Sequence, residues 1–391
     1  MSPERILAVN AGSSSLKFAL YSGSTGDQPY PVLRGRVAGH RIVAADSRGA
    51  LLLDRAWTSM PGERHDIIVL LNLIEELAGN TITAAGHRIV HGGSRFRGPA
   101  LLTREVLEEV ETLTPLAPLH QPLALGPMVA LMEARPELPQ VCCFDTAFHH
   151  DLMPPVSRYA IPRALEEQGI RRYGFHGLSY RYVAQRLARD WPELSSARVI
   201  AAHLGSGASL CAMRDGRSVD TTMGFSALDG VVMATRPGSI DPGILLHLMR
   251  SGGLSLDQLE DLLYHQCGLL GVSGQSGDVR TLLASDHPAA AEAVDLFVFS
   301  IAKQIAALAV TLGGLDVLVF TGGIGEHSAA IRMSIVERLG WLRLRLDPED
   351  NKAGISSISA SDSRVLVLVI PTDEEQVIAE QTLFLLQGSD G

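Results

Sequence analysis

Short apolar runs that alternate with longer amphipathic stretches predict an α/β protein, and an internal echo predicts that the α/β unit occurs twice. Residues 6–20 read ILAVNAGSSSLKFAL and residues 199–213 read VIAAHLGSGASLCAM. Both are strand, Gly/Ser-rich turn, strand, and both stand at the head of a half-chain, so a duplicated domain is the economical explanation. The length of 391 residues agrees, since it suits about two to three compact units.

The elements follow in order. Residues 6–9 form a β-rich run ending at Asn10-Ala11-Gly12-Ser13-Ser14-Ser15, and residues 16–21 resume as a second strand. The small residues between them therefore form a tight hairpin loop. Residues 141–144, 198–202, 317–320 and 365–370 also read as buried strands. The clearest helix runs from 288 to about 312 and stops at Gly313-Gly314, a left-handed C-terminal signal. The domain boundary falls near 148–155, after His149-His150 and before Pro154-Pro155. Two similar halves leave a cleft between them, a common place for a ligand.

Composition narrows the function. With 46% hydrophobic and 19% charged residues the chain can build a sizeable core. A net charge of −10 argues against nucleic acid or an anionic membrane as partner. An anionic substrate then requires cations gathered locally. The four cysteines (Cys142, Cys143, Cys211 and Cys267) contain no C-x-x-C, so neither a disulfide framework nor a zinc site is expected, and reduced cytosol is the natural compartment. The first residues lack the apolar stretch of a signal peptide, and no run is expected to cross a bilayer.

Several turns carry polar chemistry. The loop from Asn10 to Ser15 is followed by Lys17, and its backbone N–H groups and hydroxyls with that one cation suit a phosphate. It is not a Walker A loop, because the spacing differs and a strand follows where a helix is required. An ordinary hairpin turn is the rival reading. His203-Leu204-Gly205-Ser206-Gly207-Ala208-Ser209 is the counterpart in the second half, with two glycines that permit close backbone approach. Gly86-His87-Arg88-Ile89-Val90-His91-Gly92-Gly93 and Thr235-Arg236-Pro237-Gly238 each hold an arginine in a glycine-bearing turn. A guanidinium fork matches phosphate or carboxylate oxygens, against the plain alternative of a surface ion pair. Asp145 stands at the end of a buried strand, where α/β folds place ligands. His176 lies in the glycine-flanked turn Tyr173-Gly174-Phe175-His176-Gly177. Phe320-Thr321-Gly322-Gly323-Ile324-Gly325-Glu326 is a glycine turn opening a helix, with room for a flat ring or a phosphate. Carboxylates in Pro371-Thr372-Asp373-Glu374-Glu375 are candidate Mg²⁺ groups, although helix capping explains Asp373 equally well.

Taken together and in chain order, VNAGSSSLKF, GHRIVHGG, APLHQP, FDTAFH, YGFHG, HLGSGAS, MGFSALDG, TRPGSIDPG, GVSG, TGGIGE and PTDEE resemble the acetate kinase family from about residue 6 to about residue 380. The resemblance implies the duplicated α/β fold of acetate and sugar kinases, heat-shock 70 proteins and actin: two ribonuclease H-like domains around a central cleft. The first would cover residues 1–148, joined by a terminal helix at about 376–391; the second, residues 149–375, would bind nucleotide and dimerise. The implied activity is reversible, Mg²⁺-dependent transfer of the ATP γ-phosphate to acetate, with Mn²⁺ able to substitute, by a cytoplasmic homodimer.

By the same resemblance, Asn10 and Glu374 would place the metal, and Ser13, Ser15 and Lys17 would belong to the phosphate loop. Asp145, Arg88, Arg236 and His176 would be catalytic, His176 and Arg236 stabilising the transition state. Arg88, Val90, Leu119, Phe175 and Ala227 would form the substrate site. His203, Leu204, Gly205, Ser206 and Gly207, with Asp278, Val279, Arg280, Gly322, Gly323, Ile324 and Gly325, would hold ATP, and His120 would lie nearby. The chain departs from the family at Ser206, Gly277 and His327, where Asn is usual, at Val279 for Phe and at Ala227 for Pro. Ala227 would widen the acyl pocket so that propionate is accepted, and a propionate or butyrate kinase of the same family is the nearest alternative. The rival from another class is a non-catalytic actin- or chaperone-like ATPase, which has no need of Arg88, Arg236 and His176 together.

Overall fold

The computed structural model describes residues 4–12, 15–24, 28–57, 64–118 and 120–388. They divide into two compact units. The first draws on Met1–His150, Gly177–Tyr182 and Asp373–Gly391, the second on Asp151–His176 and Val183–Thr372.

In the first unit β1 (Glu4–Ala11) and β2 (Leu16–Gly23) form the expected hairpin, with Asn10 opposite Lys17. An antiparallel run continues through β3 (Tyr30–Ala38), β4 (Arg41–Asp46) and β5 (Leu51–Ala56). On the other side of β1, β6 (Ala84–Ile89) pairs parallel, followed by parallel β8 (Gln140–Phe144) and the short β7 (Ala100–Leu101) at the edge. The eight-stranded order is β5-β4-β3-β2-β1-β6-β8-β7. The alternation of β1 and β2 buries Leu7, Val9, Leu16, Phe18 and Leu20 on one face, in one apolar cluster with Leu70, Ile74 and Leu131 from the helices Arg64–Ala78 and Gln121–Ala134. The helix Glu374–Gly388 packs on β1, β6 and β8. Gly86 makes room for it, since a Cβ there would lie 2.2 Å from Thr382 Oγ1 and 2.5 Å from an Ile378 methyl.

The second unit repeats the plan. β9 (Val199–Leu204) and β10 (Ala208–Arg214) form the second hairpin, β11 (Arg217–Thr221) extends it, and β12 (Val317–Thr321) pairs parallel to β9, with β13 (Leu366–Val369) beyond. The echo in the sequence is therefore an echo in topology: each unit has an antiparallel hairpin whose first strand is flanked by a parallel neighbour. The β13 residues Leu366–Val369 are covered on both faces, which is why they read as a continuous apolar run.

The helix Pro288–Leu312 has the bounds expected and ends on Gly313 at φ +71°. It corrects one expectation, being long and apolar enough by length and composition to cross a bilayer. Only Lys303 carries charge between residues 296 and 312. In the structure it is a core helix: Phe297, Ile301, Ile305 and Leu312 are buried and it packs on β10 and β11.

Candidate functional site

Two clusters hold the residues singled out above, one in each unit. In the first unit the parallel strands β1, β6 and β8 end side by side, and Asn10, Arg88 and Asp145 project from those ends. Arg88 donates to Asp145 Oδ2 through Nε (2.9 Å) and Nη2 (2.6 Å), and through Nη1 to Asn10 Oδ1 (3.3 Å). Asn10 Nδ2 in turn donates to Glu374 Oε2 (2.9 Å) and Glu375 Oε1 (2.8 Å). Asn10, Arg88, Asp145 and Glu374, expected to act at one site, are thus one hydrogen-bonded network.

The electrostatics are strained. Asp145 is fully buried, and burial raises its pKa while Arg88 pulls it back. Burial disfavours the Arg88 guanidinium charge, but Asp145 and Glu374 more than restore it. Glu375 is also raised, by burial and then by the charge of Glu374, with Lys17 opposing. Three carboxylates face two cations. Because a carboxyl whose pKa is raised on folding titrates in the unfolded chain first, stability falls as pH rises from the unfolded toward the folded value. Glu375→Gln is therefore expected to raise the melting temperature in Mg²⁺-free buffer at pH 8 and to leave it unchanged near pH 4; equal shifts at both pH values would exclude this cause.

The donor set fits Mg²⁺. Asn10, Glu374 and Glu375 offer oxygens, and Asp145 Oδ1 is buried without a hydrogen-bond partner. Among the described residues no three His, Cys, Asp or Glu side chains are already gathered as metal ligands. An ion here would keep several waters, as Mg²⁺ does. Asp373 behaves as a cap: it accepts from Gln376 N (3.0 Å) and Tyr21 Oη (3.1 Å) and pairs with Arg34.

Of the remaining first-unit candidates, Ser15 accepts Gly12 N–H through its carbonyl (2.9 Å), Val90 is buried, and His120 precedes the helix Gln121–Ala134. Ser13 and Leu119 lie outside the described residues. The two histidines flanking Arg88 turn inward. His87 bonds Gln140 (2.8 Å) and His91 Nδ1 accepts from Gly93 N (2.9 Å), and burial pushes both down to about 4. They are neutral framework groups at pH 7.

In the second unit, His176 adopts a left-handed conformation (φ +57°) at the head of the helix Gly177–Asp190. Its Nδ1 is 2.8 Å from Ser209 Oγ, and its ring stacks on His203 with centroids 4.3 Å apart. Arg236 donates to the Ala227 carbonyl (3.1 Å) and lies over the Tyr264 ring. The Gly207 position is within ordinary contact of both side chains, 3.5 Å from His176 Nε2 and 4.0 Å from Arg236 Nη1 measured from the place of a Cβ. Tyr173 and Gly174 N–H both donate to the Gly224 carbonyl, and Phe225 N–H donates to Tyr159 Oη (2.8 Å). The first two bonds join the turn of buried Phe175 to the loop of Ala227, and the third ties that loop to Tyr159.

Beside this cluster is a cavity of about 550 Å³ lined by Gly205, Ser206, Asp278, Val279, Arg280, Gly323 and Ile324, all expected, and by Gly277 and His327. Asp278 caps the helix Val279–Leu283 by accepting from Arg280 N (2.8 Å). Leu204, Gly322 and Gly325 are buried behind the lining.

Sequence reasoning missed one participant. Gly177 is required because a Cβ there would lie 1.9 Å from the Asp145 carbonyl oxygen, and a glycine following a histidine gave no signal of that approach.

The family model of the acetokinase family matches residues 5–380. The chain is 48% identical over 98% of both chains to an acetate kinase of Rhodopseudomonas palustris, and 45% identical to one of Rhizobium meliloti over 98% of this chain and 99% of that one. Among solved structures it resembles a propionate kinase of Francisella tularensis (TM-score 0.87, 36% identity, 97% and 99% of the two chains). It also resembles the acetate kinase of Porphyromonas gingivalis (TM-score 0.85, 34%, 98% and 100%). Fold and sequence agree along essentially the whole length, and the chain belongs to the acetokinase family.

Proposed function

We propose that the protein is an acetate kinase, transferring the γ-phosphoryl group of ATP reversibly to acetate to give acetyl phosphate and ADP. The observation that carries this reading is the loop 205–207. Gly205 and Ser206 line the cavity, while Gly207 meets His176 and Arg236. A nucleotide in the cavity would extend its phosphates along that loop toward an imidazole and a guanidinium.

The chemistry needs little more. A carboxylate is ionised at pH 7, its unperturbed pKa lying near 4, and its oxygen can attack the γ-phosphorus without a general base. One O–P bond forms as the bridging P–O bond breaks, and ADP leaves with the electron pair. Catalysis then rests on positioning and on neutralising charge in line. Arg236 and His176 meet the transferring group, and Arg88 holds the acyl carboxylate beside Val90. Mg²⁺ bound through Asn10 and Glu374 would supply charge neutralisation at the phosphates. Asp145 takes no proton from substrate; it fixes the Arg88 fork. The homodimer and the cytoplasmic location belong to the same proposal. They rest on the family resemblance and on four unpaired cysteines, three of them buried.

Ala227 favours a second substrate. One methylene discriminates by about 1–3 kcal/mol, so propionate turnover within roughly 200-fold of acetate is expected. The test is acyl-hydroxamate formation from ATP, Mg²⁺ and a panel of formate, acetate, propionate and butyrate. Product from acetate, with propionate reduced further by Ala227→Pro, supports the reading. No hydroxamate from any acid, with ATP still bound, would replace it by the non-catalytic ATPase.

A further inference from the structure

The motif Thr321-Gly322-Gly323-Ile324-Gly325-Glu326 ends on a carboxylate. Glu326 closes the six-residue helix Gly322–His327, whose Gly323 and Ile324 line the cavity. Its side chain is only 14% exposed, and it folds back over its own helix. Oε1 accepts the Gly322 N–H (2.8 Å) and also the Thr372 N–H (3.1 Å). Gly322 is the tightest point of the turn. Its φ is +76°, and a Cβ would lie 2.8 Å from the Leu204 carbonyl oxygen. The other end of the helix is held independently by the fully buried Arg332, which donates to the carbonyls of Gly325 (2.9 Å) and Glu326 (2.8 Å). Thr372 follows β13, and the chain runs on directly through Asp373 to Glu374 and Glu375.

We propose that Glu326 is a positioning residue: a single carboxylate oxygen ties the glycine turn of the nucleotide cavity to the backbone that delivers the metal-binding glutamate Glu374. The inference rests on the kinase reading above. Hydrogen bonds from backbone N–H to a carboxylate are short and roughly twice as strong as neutral ones. A shared acceptor makes the positions of its two donors depend on each other. The oxygen is fully engaged in these bonds and acts on the nucleotide only through the backbone it holds.

The test compares Glu326→Ala with Glu326→Gln, whose carboxamide oxygen can accept the same two N–H groups. Loss of a supporting residue around a site typically costs 10–100-fold. Glu326→Ala is thus expected to weaken ADP binding in Mg²⁺-free buffer by about 10-fold or more by calorimetry, and to raise the half-saturating Mg²⁺ concentration in the hydroxamate assay by a similar factor. Glu326→Gln should stay within about 3-fold of wild type on both. If Glu326→Ala does not fold, Glu326→Asp, one methylene short of the two donors, serves for the same pair of measurements. ADP affinity unchanged in the shortened variant overturns the proposal, and so does lost ADP affinity with wild-type Mg²⁺ dependence, which would break the link to Glu374. A wild type that yields hydroxamate while Glu326→Ala keeps its ADP affinity overturns this inference alone. A wild type that makes no hydroxamate and binds no ADP overturns both.

Discussion

Arg88→Ala is expected to abolish measurable acyl-phosphate formation, a loss of at least about 10³-fold, and to lower stability as well. Two effects add. Removing a preorganised donor from a phosphoryl-transfer or oxyanion site costs about 10²–10³ in turnover. Removing one partner of a buried pair leaves the other charge uncompensated, at a cost of about 3–5 kcal/mol. Asp145 is 0% exposed and would stay beside Glu374 with no counter-charge. Without Arg88 its carboxyl would take up a proton more readily, since burial raises its pKa and the opposing charge is gone. Hydroxamate assays and thermal melts at pH 6 and pH 8 separate the two effects: activity should be absent at both, and the melting deficit larger at pH 8. Near-normal turnover would remove Arg88 from the site. Arg88→Lys should recover part of the stability but little activity, since an ammonium cannot reproduce the bidentate fork.

Gly177→Ala is expected to lower turnover by about 100-fold although no functional group is removed. Alanine is favoured over glycine in a helix by about 1 kcal/mol, and Gly177 opens the helix Gly177–Asp190, so propensity alone predicts stabilisation. Sterics decide otherwise. A Cβ at 1.9 Å from the Asp145 carbonyl oxygen and 2.9 Å from Phe148 Cβ must push the strand end and the helix apart. A misplacement of about 1 Å can cost 10²-fold in rate. The Asp145 carboxylate and its bond to Arg88 would move with that backbone. The expected signature is a fall in kcat with the ATP KM nearly unchanged, read by steady-state kinetics. A variant with wild-type kcat would show that the helix start yields without disturbing Asp145.

The pattern of elements was legible because it depends on local chemistry. The hairpins of residues 4–23 and 199–214 announce themselves by two β-rich runs around small residues. The helix Pro288–Leu312 begins on proline and ends on glycine. The residues proposed for the chemistry stood out by type and place: Arg236 and His176 in glycine-bearing loops, Arg88 beside one, and Asp145 at the end of a buried strand. Partnerships over long sequence distances were not. Nothing local says that Asn10 bonds Glu374 and Glu375, more than three hundred residues away. Nor does anything mark His87 and His91 as buried framework, while Arg88 between them reaches Asp145. A strand sends alternate side chains to opposite faces, and which face becomes interior is settled only by what packs there. Gly86 and Gly177 likewise read as ordinary turn glycines, because the helix or carbonyl that crowds each of them is supplied by another part of the chain.

The seat that Gly86 provides for the helix Glu374–Gly388 also has a consequence for the order of events during synthesis. β1, β6 and β8 leave the ribosome early, whereas the helix that covers them and carries Glu374 and Glu375 follows well over two hundred residues later. At about 5–20 residues per second, that face of the sheet waits for something on the order of ten seconds or more with apolar surface uncovered. The first unit is thus a late-closing structure despite lying first in the chain. The carboxylates proposed to bind Mg²⁺ arrive with the same segment that shields its core, so a nascent chain gains them only as that unit is completed.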